Sequence, residues 1–221
     1  MRRCALLRGA LILAPHPDDE TLGCGGLIAE LARRRRPLLV VIATDGAASH
    51  PGSPAWPAQR RAALRRREAA SAVRRLGGAR RHMRFLAFPD GAMPMAGHAL
   101  REAARRLSGW MSRLRLHNLV APSQADAHPD HRACRALARL MCRRRRLSLL
   151  EYVVWGTLPL GVRCRLPVLR HAARRSAALE RHHSQLGRGP GGLGPGFVVP
   201  PELRRMTRRG TEFFLLAGRT A

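Results

Sequence analysis

The chain has 221 residues, and 41 basic side chains stand against 14 acidic ones for a formal net charge of +27. No lysine occurs, so every basic residue is arginine; a surface selected for phosphate contacts would mix both cations, and this inventory reads as GC-rich coding background. A hydrophobic share of 45% excludes a disordered basic tail, and the composition excludes collagen, coiled coils and disulfide scaffolds. The length suits one domain over residues 1–221.

Residues 1–14, MRRCALLRGALILA, have the basic start and apolar stretch of a secretory signal. Arg8 interrupts the apolar core and the segment runs straight into HPDDE, so it reads instead as a buried first strand, Ala10–Ala14. A helix over 23–35 follows, then a strand at Leu38–Ala43, a helix over 58–76 and a strand at Phe85–Phe88. Next come a helix over 97–115, a strand at Leu119–Ala121, a helix over 130–145, a strand at Leu149–Trp155 and a helix over 171–186. Arg33–Arg36 and Arg143–Arg146 close helices, where cations complement the helix dipole. The Gly/Pro-rich run 187–201 is a lid or a long connection, and 202–221 is a C-terminal segment. This alternation predicts an α/β, Rossmann-like, mainly parallel sheet with helices on both faces and the active site at the carboxyl ends of the strands.

No stretch reaches the ~18 apolar residues a membrane span needs. The five cysteines (Cys4, Cys24, Cys134, Cys142 and Cys164) are odd in number and lack CxxC spacing, so they are expected as free thiols in a reducing cytoplasm.

The acidic residues are more informative than the basic ones. The six aspartates (Asp18, Asp19, Asp45, Asp90, Asp126 and Asp130) all follow apolar runs closely. His16-Pro17-Asp18-Asp19-Glu20 puts an imidazole and two carboxylates on the turn leaving the first strand. His128-Pro129-Asp130-His131 puts two imidazoles and a carboxylate at the start of a later helix, where Pro129 costs no hydrogen bond. Three ligands of mixed nitrogen and oxygen type with one open position make a catalytic zinc site, and a neighbouring carboxylate can then take a proton from water. A lone HxxH is weak evidence, whereas two such motifs, each after a strand, are specific.

APHPDDETLGCGGLIA, a strand ending in TDG, RRREAASAVRRLG, FLAFPDG and HPDHRA occur in that order, and together they resemble the PIG-L/LmbE-like zinc-dependent de-N-acetylases from residue 10 to about 186. The resemblance implies hydrolytic removal of an acetyl group from an N-acetylglucosaminyl-type substrate. By position it makes His16, Asp19 and His131 the zinc ligands and Asp18 the general base. It gives His128 the polarisation of the amide oxygen and Asp130 the orientation of an active-site histidine. The same donor set accepts Fe2+.

Arg65 lies on the apolar stripe of its helix with Ala62, Ala69, Val73 and Leu76, so it needs a partner: Glu68 one turn on, or a substrate group as in the family. Asp45 and Asp90 precede glycines, which favours turns, yet both fall at the expected rim and are candidate substrate contacts. Many relatives carry Glu after TDG; here Ala47 stands there, and the Ser49–Ser53 loop, with His50, is the candidate substitute. His183-Ser184-Gln185 resembles a family segment that follows a helix and is read as structural or as support behind the site residues, and Trp56, Trp110 and Trp155 as core or rim. Partners other than a small acetylated amino sugar or its conjugate compete poorly. A nucleic-acid binder needs interleaved aromatics or a known module, and aromatics are only 4%.

Overall fold

The computed structural model describes residues 8–144, 147–156 and 163–217. In chain order the elements are β1 (Ala10–Ala14), α1 (Asp19–Arg33), β2 (Leu38–Thr44), α2 (Ala58–Arg75), β3 (Met83–Phe88), α3 (Gly97–Arg113) and β4 (Asn118–Pro122). They continue with α4 (Pro129–Arg144), β5 (Ser148–Tyr152), β6 (Arg163–Pro167), α5 (Ala172–Leu179), α6 (Pro201–Met206) and β7 (Thr211–Ala217). The strands form one seven-stranded sheet in the order β3-β2-β1-β4-β5-β7-β6. β3 through β5 are mutually parallel, and β7 runs antiparallel to both neighbours.

Every residue of β1 and β2 is buried, as strands covered on both faces must be. Alternation along them divides the core. Ile12 and Val40 face α1, α2 and α5, whereas Leu11, Leu13, Leu39 and Val41 face α3 and α4. The chain runs outward from β1 in both directions, through β2 on one side and β4 on the other, so β1 and β4 flank a topological switch point. A crevice opens at the carboxyl end of such a pair, and both histidine motifs leave the sheet there.

Helix α1 starts four residues before the expected position, because Asp18 already accepts the backbone N–H groups of Thr21 and Leu22 at 2.9 Å. Its glycines are there for close packing. A Cβ on Gly23 would overlap the Tyr152 ring, and one on Gly26 would lie 2.5 Å from Val168 Cγ1.

Three expectations need correction. The strand over 149–155 ends at Tyr152, because the N–H groups of Val154 and Trp155 turn to Asp126 Oδ2 at 3.0 and 3.2 Å. The helix over 171–186 stops at Leu179; beyond it Glu68 accepts both the N–H (2.8 Å) and the hydroxyl (2.6 Å) of Ser184, and the chain closes in a 3-10 turn, His183–Leu186. Cys164 is disulfide-bonded, so only Cys24, Cys134 and Cys142 are free thiols among the described residues. The Arg143–Arg146 run lies partly outside the described residues.

Residues 187–201 form a clamped connection. Ser53 Oγ and Trp56 Nε1 donate to the carbonyls of Gly192 (2.6 Å) and Gly191 (3.1 Å), and Phe197 N–H donates to Ser49 O at 2.8 Å. Among the described residues no helix is long and apolar enough to cross a membrane.

Candidate metal centre and active site

The turn after β1 and the first turn of α4 meet over the switch point. Asp19 Oδ2 lies 3.1 Å from His16 Nδ1 and 3.2 Å from His131 Nε2. The second nitrogen of each ring also faces a carboxylate: His16 Nε2 is 3.0 Å from Asp130 Oδ2, and His131 Nδ1 is 3.0 Å from Asp126 Oδ2. Asp90 Oδ1 approaches His16 Nε2 at 3.2 Å. Two groups can each bring one donor atom per residue within 4.8 Å of one another: His16, His128 and His131, or His16, Asp90 and Asp130.

The donors differ in how far they are already engaged. Asp130 accepts the backbone N–H groups of Gly91 (2.7 Å) and Met93 (3.0 Å), and Asp90 Oδ2 accepts that of Ala48 (2.9 Å). The Asp130 carboxylate is thus held by the loop after β3, and that of Asp90 by the loop after β2. His131 is wholly buried, and although each ring nitrogen lies near a carboxylate oxygen, neither makes a hydrogen bond of good geometry. A buried polar atom without a partner is costly unless something else satisfies it.

Electrostatics separate the two adjacent aspartates. Burial raises the Asp18 carboxyl to about 6, with Arg65 only partly offsetting it. Burial also works against the charged form of Asp19, but His131 and His16 overcome it and hold Asp19 well below the usual carboxylate range. Asp130 sits at about 2, its burial outweighed by His16 and the two backbone N–H groups. Burial opposes charge on His131 too, but Asp19 and Asp126 lift it to about 9.

Asp18 itself has φ 149°, a conformation rare outside glycine, and Glu20 Oε2 accepts its N–H at 2.9 Å. Glu20 Oε1 in turn faces His182 Nε2 at 3.3 Å. Arg65 Nη2 reaches Asp18 Oδ2 at 3.4 Å. Glu68, the expected local partner of Arg65, is occupied by Ser184 instead.

His128 is half-buried and accepts the N–H of Asp130 at Nδ1 (3.2 Å). That bond places the ring proton on Nε2. Burial, with His16 and His131 nearby, lowers its pKa, which favours the neutral ring, and with Nδ1 accepting, the neutral ring has Nε2 as its donor.

A cavity of about 610 Å³ opens onto His16, Asp18, Asp19, Asp90, His128 and Arg65. It continues along Leu22, Trp155, Gln185, Pro195 and Phe197. Two expected substrate contacts do not line it. Asp45 Oδ1 accepts the N–H groups of Ala47 (3.0 Å) and Asp90 (3.3 Å) and so shapes the wall from behind. His50 is buried, its Nδ1 3.2 Å from Ser49 Oγ, and it packs against Gly196 while Ser49 and Pro51 face the cavity. Asp126, beside His131, and Gln185, on the cavity wall, are not among the candidate site residues that the sequence supplies. The only signal for Asp126 was its place two residues before His128, within the same segment after a strand.

The chain matches the family model described as PIG-L, GlcNAc-PI de-N-acetylase, over residues 11–142. No curated protein matches it in sequence. Among solved structures, the conserved protein TT1542 from Thermus thermophilus is 27% identical with a TM-score of 0.69, covering 96% of this chain and 95% of that one. The N,N'-diacetylchitobiose deacetylase of Pyrococcus horikoshii is 21% identical with a TM-score of 0.68, covering 84% and 72%. A 4-carboxy-2-hydroxymuconate hydratase from Pseudomonas putida is 18% identical with a TM-score of 0.63, covering 82% and 81%. A hydratase on this fold means that the fold alone does not choose the reaction. The family match covers both histidine motifs and more than half of the chain, and the chain belongs to the PIG-L family.

Proposed function

We propose that this protein is a metal-dependent hydrolase that removes the acetyl group from an N-acetylglucosaminyl-type substrate. The observation that carries this reading is the placement of Asp19 Oδ2 between His16 Nδ1 and His131 Nε2, with a carboxylate behind each ring. Donors around a tetrahedral zinc stand about 3.3 Å apart when each bond is 2.0–2.1 Å. The two Asp19 edges, 3.1 and 3.2 Å, match this, whereas the groups with every donor already within 4.8 Å are His16, His128 and His131 or His16, Asp90 and Asp130, so metal binding by His16, Asp19 and His131 calls for a side chain to turn. The His131 ring nitrogens, which lack a well-formed hydrogen bond despite their carboxylate neighbours, fit the same role. His16, Asp19 and His131 would therefore hold the metal, Zn2+ or by donor type Fe2+. Asp130 and Asp126 would orient the two imidazoles, as carboxylates behind metal-binding histidines do.

Bound there, the metal supplies Lewis acidity, which makes water acidic enough to lose a proton near neutrality and polarises an amide carbonyl. The residues do the rest. Asp18, with a carboxyl lifted to about 6 by burial, takes the proton from the attacking water. His128 donates from Nε2 to the carbonyl oxygen as negative charge develops on it. The proton balance closes when the departing nitrogen receives a proton and leaves as the amine, with acetate as the second product. Arg65 and Asp90 would contact the sugar, a role supported by their position on the cavity wall. The family description, GlcNAc-PI de-N-acetylase, and the chitobiose deacetylase neighbour support the amino-sugar substrate class.

Acetate release from a panel of N-acetylglucosaminyl conjugates tests the reading. Release that disappears on chelation and returns with metal supports it; no release from any conjugate overturns it.

A further inference from the structure

We infer that Gln185 is a substrate-contacting residue that reads a hydroxyl group on the amino sugar, an inference that rests on the de-N-acetylase reading above. Gln185 lines the reactive cavity, is 1% exposed, and its Oε1 has no hydrogen-bond partner. Its amide orientation follows from its neighbours. The Ser184 hydroxyl has one proton and gives it to Glu68 Oε2 at 2.6 Å, an acceptor that offers no proton in return. Ser184 Oγ can then only accept from Gln185, which fixes Nε2 against it at 3.1 Å. The remaining free atom is Oε1, an acceptor that calls for a donor.

Arg65 supplies the complementary half. It lines the same cavity, is 3% exposed, and its Nε and Nη1 have no partner. Two residues that line one cavity, one with an unpaired buried acceptor and the other with unpaired buried donors, suit a group that both gives and takes a hydrogen bond. A sugar hydroxyl does both. A phosphate or carboxylate would satisfy Arg65 but leave Gln185 Oε1 facing another acceptor. The cost of leaving such groups unpaired gives the discrimination against a ligand that lacks the hydroxyl.

The test compares acetate release from methyl N-acetylglucosaminide and from each of its monodeoxy analogues. The wild-type protein should lose about tenfold or more in kcat/KM on one analogue. Gln185→Leu should lose a similar factor on the parent sugar and then treat parent and that analogue alike. Ser184→Ala, which frees the amide to turn, should weaken the same discrimination with Gln185 still present, and it carries the test if Gln185→Leu melts early. If either folded variant keeps the full wild-type preference, or the wild type releases acetate equally from all analogues, the hydroxyl reading is wrong while the de-N-acetylase reading stands. No acetate from any sugar overturns both.

Discussion

His131 Nδ1 lies 3.0 Å from Asp126 Oδ2, both residues with no solvent exposure, and the same carboxylate oxygen accepts the N–H groups of Val154 and Trp155. The end of β5 and the orientation of a metal-binding candidate are thus fixed by one side chain. Asp126→Asn should weaken zinc binding about 10–100-fold, read by competition with a chelating dye. An unchanged affinity would remove Asp126 from the metal site.

Asp18 and Asp19 are adjacent in sequence, yet burial raises the Asp18 carboxyl while His131 and His16 hold that of Asp19 down. Asp18→Asn should retain metal at wild-type stoichiometry and lose about 10²–10⁴ in kcat. Asp19→Ala should lose the metal itself. Elemental analysis beside acetate release separates the two, and full activity in Asp18→Asn would mean that another group takes the proton.

The glycines of two helices should respond oppositely to alanine. At Gly26 in α1 the new methyl would lie 2.5 Å from Val168 Cγ1 and 2.9 Å from Glu212 Oε1, so Gly26→Ala should destabilise by about 1–3 kcal/mol. At Gly109 in α3 nothing lies within 4 Å, and Gly109→Ala should stabilise by about 0.5–1 kcal/mol. Urea unfolding midpoints decide both.

Much of this was legible in the sequence because the parallel strands are buried on both faces and read as uninterrupted apolar runs, as in Leu38–Thr44. β6 and β7 were not. Arg163–Pro167 is alternately charged and sits at the sheet edge, and Thr211–Ala217 pairs with strands remote in sequence, so neither carries a local signal of its partner. In the candidate site, HPDDE and HPDH stand out in the sequence because their polar residues are contiguous, and the structure brings the two motifs together. Asp126 and Gln185 do not stand out, because what places them is a contact with His131 and a hydrogen bond through Ser184 to Glu68 on another helix. Asp45 and His50 looked like substrate contacts because they fall on rim loops, but a rim position says nothing about whether the side chain faces inward.

Acid stability should depend on Glu30. Arg33 first, then His171 and Arg34, hold this buried carboxyl below its usual range despite the opposing effect of burial. A depressed carboxyl contributes stability that is fully present above its unfolded pKa of about 4.3 and is lost as pH falls further. Glu30→Gln should therefore lower the urea midpoint at pH 7 and flatten its fall between roughly pH 5 and 3. Parallel pH profiles for the wild type and the variant would contradict this.

The central claim is that His16, Asp19 and His131 hold a metal that the hydrolysis of an acetamido sugar requires. The most direct measurement is metal content and acetate release on the same preparations of wild type and His131→Ala. The account predicts about one metal per wild-type chain with chelator-sensitive release, and loss of both in the variant. Release that persists in a folded, metal-free His131→Ala protein would contradict it.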